Sequence, residues 1–184
     1  MRVAVYPGSF NPLHIGHQAI MEYLTSDLKY DMVYLIVSPK NPIKDINPLS
    51  AEDRFMAAVD AVARHPELNV KADDIELHME APQYTYKTLD ALKKREPENE
   101  FTLVMGADNL AIIGRWREAE YILKEFGVCV YPREGFDLEA IAAQLKAEDP
   151  DYRIELLDAP MVNISSTQIR EGIAEGKDMS EFMM

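Results

Sequence analysis

Cysteine is almost absent. The chain of 184 residues holds one, Cys129, so no internal disulfide can staple the fold. With 47% hydrophobic residues, none is needed. Cys129 lies in the apolar run Val128-Cys129-Val130-Tyr131. A small core residue of a buried strand is its expected role, rather than a nucleophile, and such sparse usage fits a reducing cytoplasm. Basic charge is also scarce: 19 Lys and Arg against 32 Asp and Glu leave a net charge of −13. That excludes a broad cationic face for duplex nucleic acid and argues against binding at a membrane surface. No apolar run approaches membrane-spanning length. The amino end opens on Val3-Ala4-Val5-Tyr6 instead of a basic segment and a long apolar stretch, so no signal peptide is expected. Repeats, low-complexity segments and a convincing linker are missing too, and one domain over residues 1–184 is the expectation. An acidic chain binds an anion only through a local positive site, which directs attention to the few clustered His, Lys and Arg residues.

What is present is alternation. Strand-like runs occur at Arg2–Tyr6, Met32–Val37, Leu68–Lys71, Phe101–Met105, Gly127–Tyr131 and Arg153–Leu157. Helical periodicity lies between them. Ile20, Leu24 and Leu28 fall at fourfold spacing, and Ser50 is a plausible N-cap with Asp53 three residues on. Phe55, Val59 and Val62 then share the expected buried face. Further helices are expected near Tyr86–Lys94, Trp116–Lys124, Leu138–Lys146 and Ser166–Glu175. Such alternation predicts an α/β fold with a parallel sheet covered by helices on both faces. Pro39–Pro48 reads as a long loop leaving the second strand. In a doubly wound sheet ligands bind beside such loops, at the carboxyl ends of strands.

The first strand runs into Pro7-Gly8-Ser9-Phe10-Asn11-Pro12-Leu13-His14-Ile15-Gly16-His17. There is no Gly-Lys-Ser/Thr and no GxGxxG, so this is neither a P-loop nor a dinucleotide fingerprint. Gly8 permits a sharp turn with amides aimed at an anion. His14 and His17, three apart, share a face on the first turn of a helix, where the helix end adds partial positive charge. Gly16 is expected to let a ligand approach. Two surface histidines is the blander reading. A metal site would want a third ligand, and none is evident.

The string resembles the G-x-F-x-P-x-H-x-G-H signature of the nucleotidyltransferase superfamily related to class I aminoacyl-tRNA synthetases, matched at Gly8, Phe10, Pro12, His14, Gly16 and His17. The resemblance implies a Rossmann-like, three-layer α/β/α fold, here expected with strand order 3-2-1-4-5, and histidines on ATP phosphates. Near the other end, Asn163-Ile164-Ser165-Ser166-Thr167-Gln168-Ile169-Arg170 resembles the I-S-S-T-x-x-R motif of the same superfamily. Hydroxyls at a helix start are also ordinary N-caps.

Between these motifs the chain is similar to bacterial nicotinate-nucleotide adenylyltransferases. Asn41-Pro42-Ile43-Lys44 departs from that family's Asn-Pro-His-Lys at Ile43, and Tyr84-Thr85-Tyr86-Lys87-Thr88-Leu89 departs from Tyr-Thr-x-Asp-Thr-Leu at Lys87. Met105-Gly106-Ala107-Asp108-Asn109-Leu110 followed by Trp116 matches Gly-x-Asp-x-Leu and a later Trp, with Arg117 where a second aromatic is usual. The family implies adenylyl transfer from ATP, with Mg²⁺, to nicotinate mononucleotide; the expected assembly is a monomer or small homo-oligomer. His14, His17 and Arg170 are then the expected catalytic residues. They are expected to bind ATP together with Gly8, Ser9, Phe10, Gly106, Asp108, Ile164, Ser165 and Ser166. Lys44, Tyr84, Thr85, Trp116 and Arg117 are expected on the acceptor, with Trp116 stacked on the pyridine ring. Gly106 could admit a ribose or adenine, and Asp108 could equally cap the helix it opens. Trp116, between Arg115 and Arg117, sits in a poor setting for a core residue, although arginines can snorkel beside a structural Trp. Phosphopantetheine adenylyltransferase, a nicotinamide-nucleotide enzyme and a nucleotide sensor without turnover are the rivals.

Overall fold

The computed structural model describes residues 1–39 and 50–184. Its sheet has six strands: β1 (Arg2–Gly8), β2 (Met32–Val37), β3 (Val70–Asp73), β4 (Glu100–Gly106), β5 (Val128–Tyr131) and β6 (Ile154–Leu156). All pairs are parallel and the order is β3-β2-β1-β4-β5-β6. The expected order thus holds, with a sixth strand beside β5. Around it run α1 (Ile15–Ser26), α2 (Ala51–Ala63), α3 (Thr85–Arg95), α4 (Ala107–Ala111), α5 (Ala119–Tyr121), α6 (Leu138–Glu148) and α7 (Ser166–Ala174). The chain reverses its direction of travel across the sheet between β1 and β4. A crevice opens outside the carboxyl ends at such a switch point.

Two cores follow from strand periodicity. Val3, Val5, Tyr34, Ile36, Leu103, Met105, Val128 and Val130 belong to one. Ala4, Tyr6, Val33, Leu35, Val104 and Cys129 belong to the other. Cys129 is fully buried, as expected, and burial pushes its thiol up to about 12. Among the described residues no helix is long and apolar enough to cross a membrane.

Two local expectations need correction. Ser50 does cap α2, accepting from Asp53 N at 3.1 Å. Its buried face, however, centres on Arg54, Ala58 and Ala61, with Phe55 and Val62 packed at its margin. The alanines let the helix lie close to the sheet, and Arg54 is drawn inward by backbone carbonyls at the strand ends. The helix expected over Trp116–Lys124 is broken. A 3₁₀ turn spans Ile113–Arg115, Trp116 is extended, and Glu118 is left-handed at φ 56°. α5 then passes into a π-helical stretch, Ile122–Phe126.

Candidate active site

The two terminal motifs meet over the carboxyl edge of the sheet. Arg170 Nη1 donates to the Asn11 carbonyl at 2.6 Å, and Ser166 Oγ donates to the Pro12 carbonyl at 2.8 Å. Between them opens a cavity of about 800 Å³ lined by both motifs. Ser9, His14, His17 and Asp108 face it from one side, and Ile164, Ser165, Ser166 and Arg170 from the other.

The histidines build their own seat. His14 is the N-cap of α1, and its Nδ1 accepts from Gly16 N at 3.0 Å. His17 Nδ1 accepts from His14 N at 3.1 Å. A ring nitrogen that accepts carries no proton, so each neutral imidazole carries its proton on Nε2. The rings overlap at 3.8 Å between centroids, and the His14 backbone pairs antiparallel with Met183. Burial, then Arg133, lowers the His14 pKa to about 4; burial, then His14 and Arg133, holds His17 well below its ordinary value. Both rings are therefore neutral donors in the free protein, not the standing positive charge of a doubly protonated histidine pair.

Gly16 lines the cavity and has a second role beside the expected ligand approach. A Cβ there would lie 2.8 Å from His14 Cε1 and 2.9 Å from Nδ1. Its missing side chain makes room for the capping ring. Gly106 is similar: a Cβ would meet Asp108 Oδ1 at 2.5 Å and the Tyr131 ring at 2.9 Å. That space belongs to protein atoms instead of ribose or adenine. Asp108 makes no cap, since α4 has no side-chain cap hydrogen bond. Its Oδ1 is buried without a hydrogen-bond partner, 3.5 Å from Arg133 Nε. Gly8 and Phe10 are not among the residues lining the cavity. The Phe10 ring is buried over Gly8 and packs edge-on against His17 and Tyr6, so it supports the site from beneath. Ser165 caps α7 in a reciprocal box with Gln168 and also lines the cavity, so its two readings coexist.

Of the expected acceptor residues, Tyr84, Thr85, Trp116 and Arg117 lie outside the cavity lining. Tyr84 precedes α3 and Thr85 opens it. Arg117 lies 5.1 Å over the Tyr84 ring and Lys87 lies 5.4 Å from it, while Tyr84 stacks on Tyr86. Trp116 is half-buried and packed against the core, with Arg115 and Arg117 exposed beside it. Packing is thus part of its role, contrary to what its charged neighbours indicated. Lys44, with Asn41, Pro42 and Ile43, lies outside the described residues.

Motif reading missed Arg133 and Tyr131. Arg133 lines the cavity, pairs with Asp108 and covers the Tyr131 ring at 5.6 Å. The available signal was positional: a cation just past the carboxyl end of a buried strand.

The family model for cytidylyltransferase-like proteins matches residues 5–172. A probable nicotinate-nucleotide adenylyltransferase of Bacteroides fragilis is 38% identical over 99% of this chain and 87% of its own. One from Flavobacterium johnsoniae is 36% identical over 100% and 92%. Among solved structures, Plasmodium falciparum nicotinic acid mononucleotide adenylyltransferase complexed with NaAD superposes with a TM-score of 0.78 at 18% identity. That match covers 99% of this chain and 90% of the other, and shares the fold.

Proposed function

The chain belongs to the cytidylyltransferase-like family and, within it, to the nicotinate-nucleotide adenylyltransferases, and we propose from that premise how its residues work. The reaction transfers the adenylyl group of ATP to nicotinate mononucleotide, giving deamido-NAD and pyrophosphate. The observation that carries the site assignment is the joining of the two terminal motifs through Arg170 and Ser166 around one cavity.

The acceptor phosphate is ionised at neutral pH, so no protein base and no covalent intermediate are required. Its oxygen forms a bond to the α-phosphorus as the bond to the bridging oxygen breaks, and pyrophosphate leaves with that electron pair. Catalysis is then positioning with charge stabilisation. His14 and His17 offer Nε2 hydrogens, and Arg170 and Arg133 supply the fixed positive charge. Because each Nδ1 is held as an acceptor of a backbone N–H, the rings act as neutral Nε2 donors and the charge comes from the arginines. Ile164, Ser165 and Ser166 line the nucleoside side. Nucleotidyltransferases of this kind work with a divalent metal, and Mg²⁺ is our assignment. Asp108 Oδ1, at the cavity without a hydrogen bond but 3.5 Å from Arg133 Nε, is a carboxylate oxygen that could reach such an ion, and no cluster of three or more metal-ligating side chains occurs among the described residues. When bound, the ion neutralises phosphate charge, held mostly by phosphate and water. Lys44 is assigned to the acceptor phosphate, Tyr84, Thr85 and Arg117 to the nicotinate end, and Trp116 to the pyridine face. A carboxylate there gains charge-assisted hydrogen bonds that an amide does not.

Residues 1–184 act as one domain, as a monomer or small homo-oligomer. The single buried thiol and the acidic charge support a cytoplasmic enzyme without a nucleic-acid or membrane partner. The test is pyrophosphate release from ATP with nicotinate mononucleotide, nicotinamide mononucleotide and phosphopantetheine in parallel. The acid should give the highest kcat/KM. Equal values for acid and amide would remove the assigned acid preference, and no release with any acceptor would favour a sensor.

A further inference from the structure

No motif draws attention to Arg54, yet it heads the fully buried side chains by volume, at 1% exposure. Guanidinium is always charged, and burying a charge without a counter-charge is costly. Among the described residues no carboxylate forms an ion pair with it. Its donors go to backbone instead. Nη1 reaches the Ser9 carbonyl at 2.9 Å and Nη2 the Pro39 carbonyl at 3.4 Å, while Nε is buried without a hydrogen-bond partner.

Those acceptors share a place in the fold. Ser9 follows β1 and Pro39 comes shortly after β2, neighbouring strands whose last residues Gly8 and Val37 are in register. One planar fork therefore ties together two segments leaving the sheet at its carboxyl edge. Two further carbonyls of the same segment are also taken: Asn11 by Arg170, Pro12 by Ser166. Carbonyls 9, 11 and 12 are all bound by donors from α2 or α7. Carbonyl oxygens turned toward a polyphosphate would repel it, and these are held in protein hydrogen bonds. Between the anchors, Phe10 is left-handed at φ 47°, a conformation that a non-glycine residue keeps only when its surroundings impose it.

We infer that Arg54 is a positioning residue for adenylyl transfer: its guanidinium fastens the Ser9 and Pro39 carbonyls, so that the Ser9–His17 segment keeps both histidines aimed at the triphosphate. This rests on the adenylyltransferase reading above. Lysine retains the charge but not the planar fork, and methionine retains neither.

Arg54→Lys and Arg54→Met in the full chain test it. Three readouts are needed: pyrophosphate release, melting temperature, and ¹⁵N signals of the histidine rings without substrate. Arg54→Lys should melt near wild type, lose at least tenfold in kcat with acceptor KM within threefold, and shift the ring signals away from the Nε2-protonated form. Arg54→Met should lose more kcat. A merely structural role lowers melting temperature and leaves both kcat per folded molecule and the ring signals unchanged. A kcat for Arg54→Lys within threefold of wild type overturns the inference, even if Arg54→Met does not fold. Should wild type itself release no pyrophosphate, the adenylyltransferase reading has failed, and the ring signals alone decide: unchanged signals overturn the positioning role and shifted ones support it.

Discussion

Replacing Gly16 by Ala separates two accounts of that glycine. An added Cβ would sit 2.8 Å from His14 Cε1 and 2.9 Å from its Nδ1, where ordinary contact begins near 3.4 Å. The ring must recede by about half an ångström. That stretches the Gly16 N to His14 Nδ1 bond from 3.0 Å to the limit of a hydrogen bond. Losing a cap costs ~0.5–2 kcal/mol. Ala in place of Gly inside a helix returns ~0.5–1 kcal/mol. The net change is at most ~1.5 kcal/mol, which at ~2–4 °C per kcal/mol for a chain of this size lowers the melting temperature by no more than about 6 °C. The chemical effect is larger. The His17 ring lies 3.8 Å from the His14 ring and accepts from His14 N, so both donors move together. Loss of preorganised donors costs ~10²–10³ in rate. The assay is steady-state pyrophosphate release beside a thermal melt. A purified Gly16→Ala protein with kcat within threefold of wild type and a raised KM for ATP would refute the account, and would leave ligand approach as the sole role of Gly16.

The remaining expectations concern protonation, charge stabilisation and stacking. Burial keeps His14 neutral down to about pH 4, against an ordinary 6.5. The unfolded chain therefore binds the extra proton first, so stability is full above pH 6.5 and falls as pH drops toward 4. At ~1.4 kcal/mol per unit, discounted for the part of the ring that solvent screens, the loss from this group is on the order of 1–2 kcal/mol. His14→Asn, which keeps a capping side chain, should flatten that slope in urea titrations at pH 7, 5.5 and 4.5; parallel slopes for the two proteins would count against a buried neutral His14. His17→Ala should fold and lose ~10²–10³ in turnover, and a folded variant within threefold of wild type would remove His17 from the transition-state site. Nicotinate mononucleotide should change the fluorescence of Trp116, the only tryptophan, more than ATP does. Because Trp116 is half-buried against the core, Trp116→Ala should cost less than the ~3–5 kcal/mol of a fully buried Trp, while raising acceptor KM several-fold. Lost stability with an unchanged acceptor KM would leave only the packing role.

The sequence by itself determined the architecture and the chemistry class. Alternating apolar runs and helical periods dictate a parallel sheet, because a strand buried on both faces and a one-sided helix have few other ways to hide apolar surface. The strings at Gly8–His17 and Ile164–Arg170 were legible because their residue types and spacing are local. What only the tertiary structure decided depends on partners distant in the chain. The neutrality of His14 and His17 arises from burial and from Arg133, more than a hundred residues away. The need for glycine at 106 comes from the Tyr131 ring and Asp108. Nothing in the sequence singles out Arg54, since a backbone carbonyl leaves no trace in residue identity. Its acceptors, Ser9 and Pro39, come together only when β1 and β2 pair. Trp116 packs against the core from an extended position between a 3₁₀ turn and the left-handed Glu118, and neither periodicity nor charged neighbours foretold that turn. Side-chain type is a local property; protonation state, burial and the direction of a hydrogen bond belong to the packed molecule.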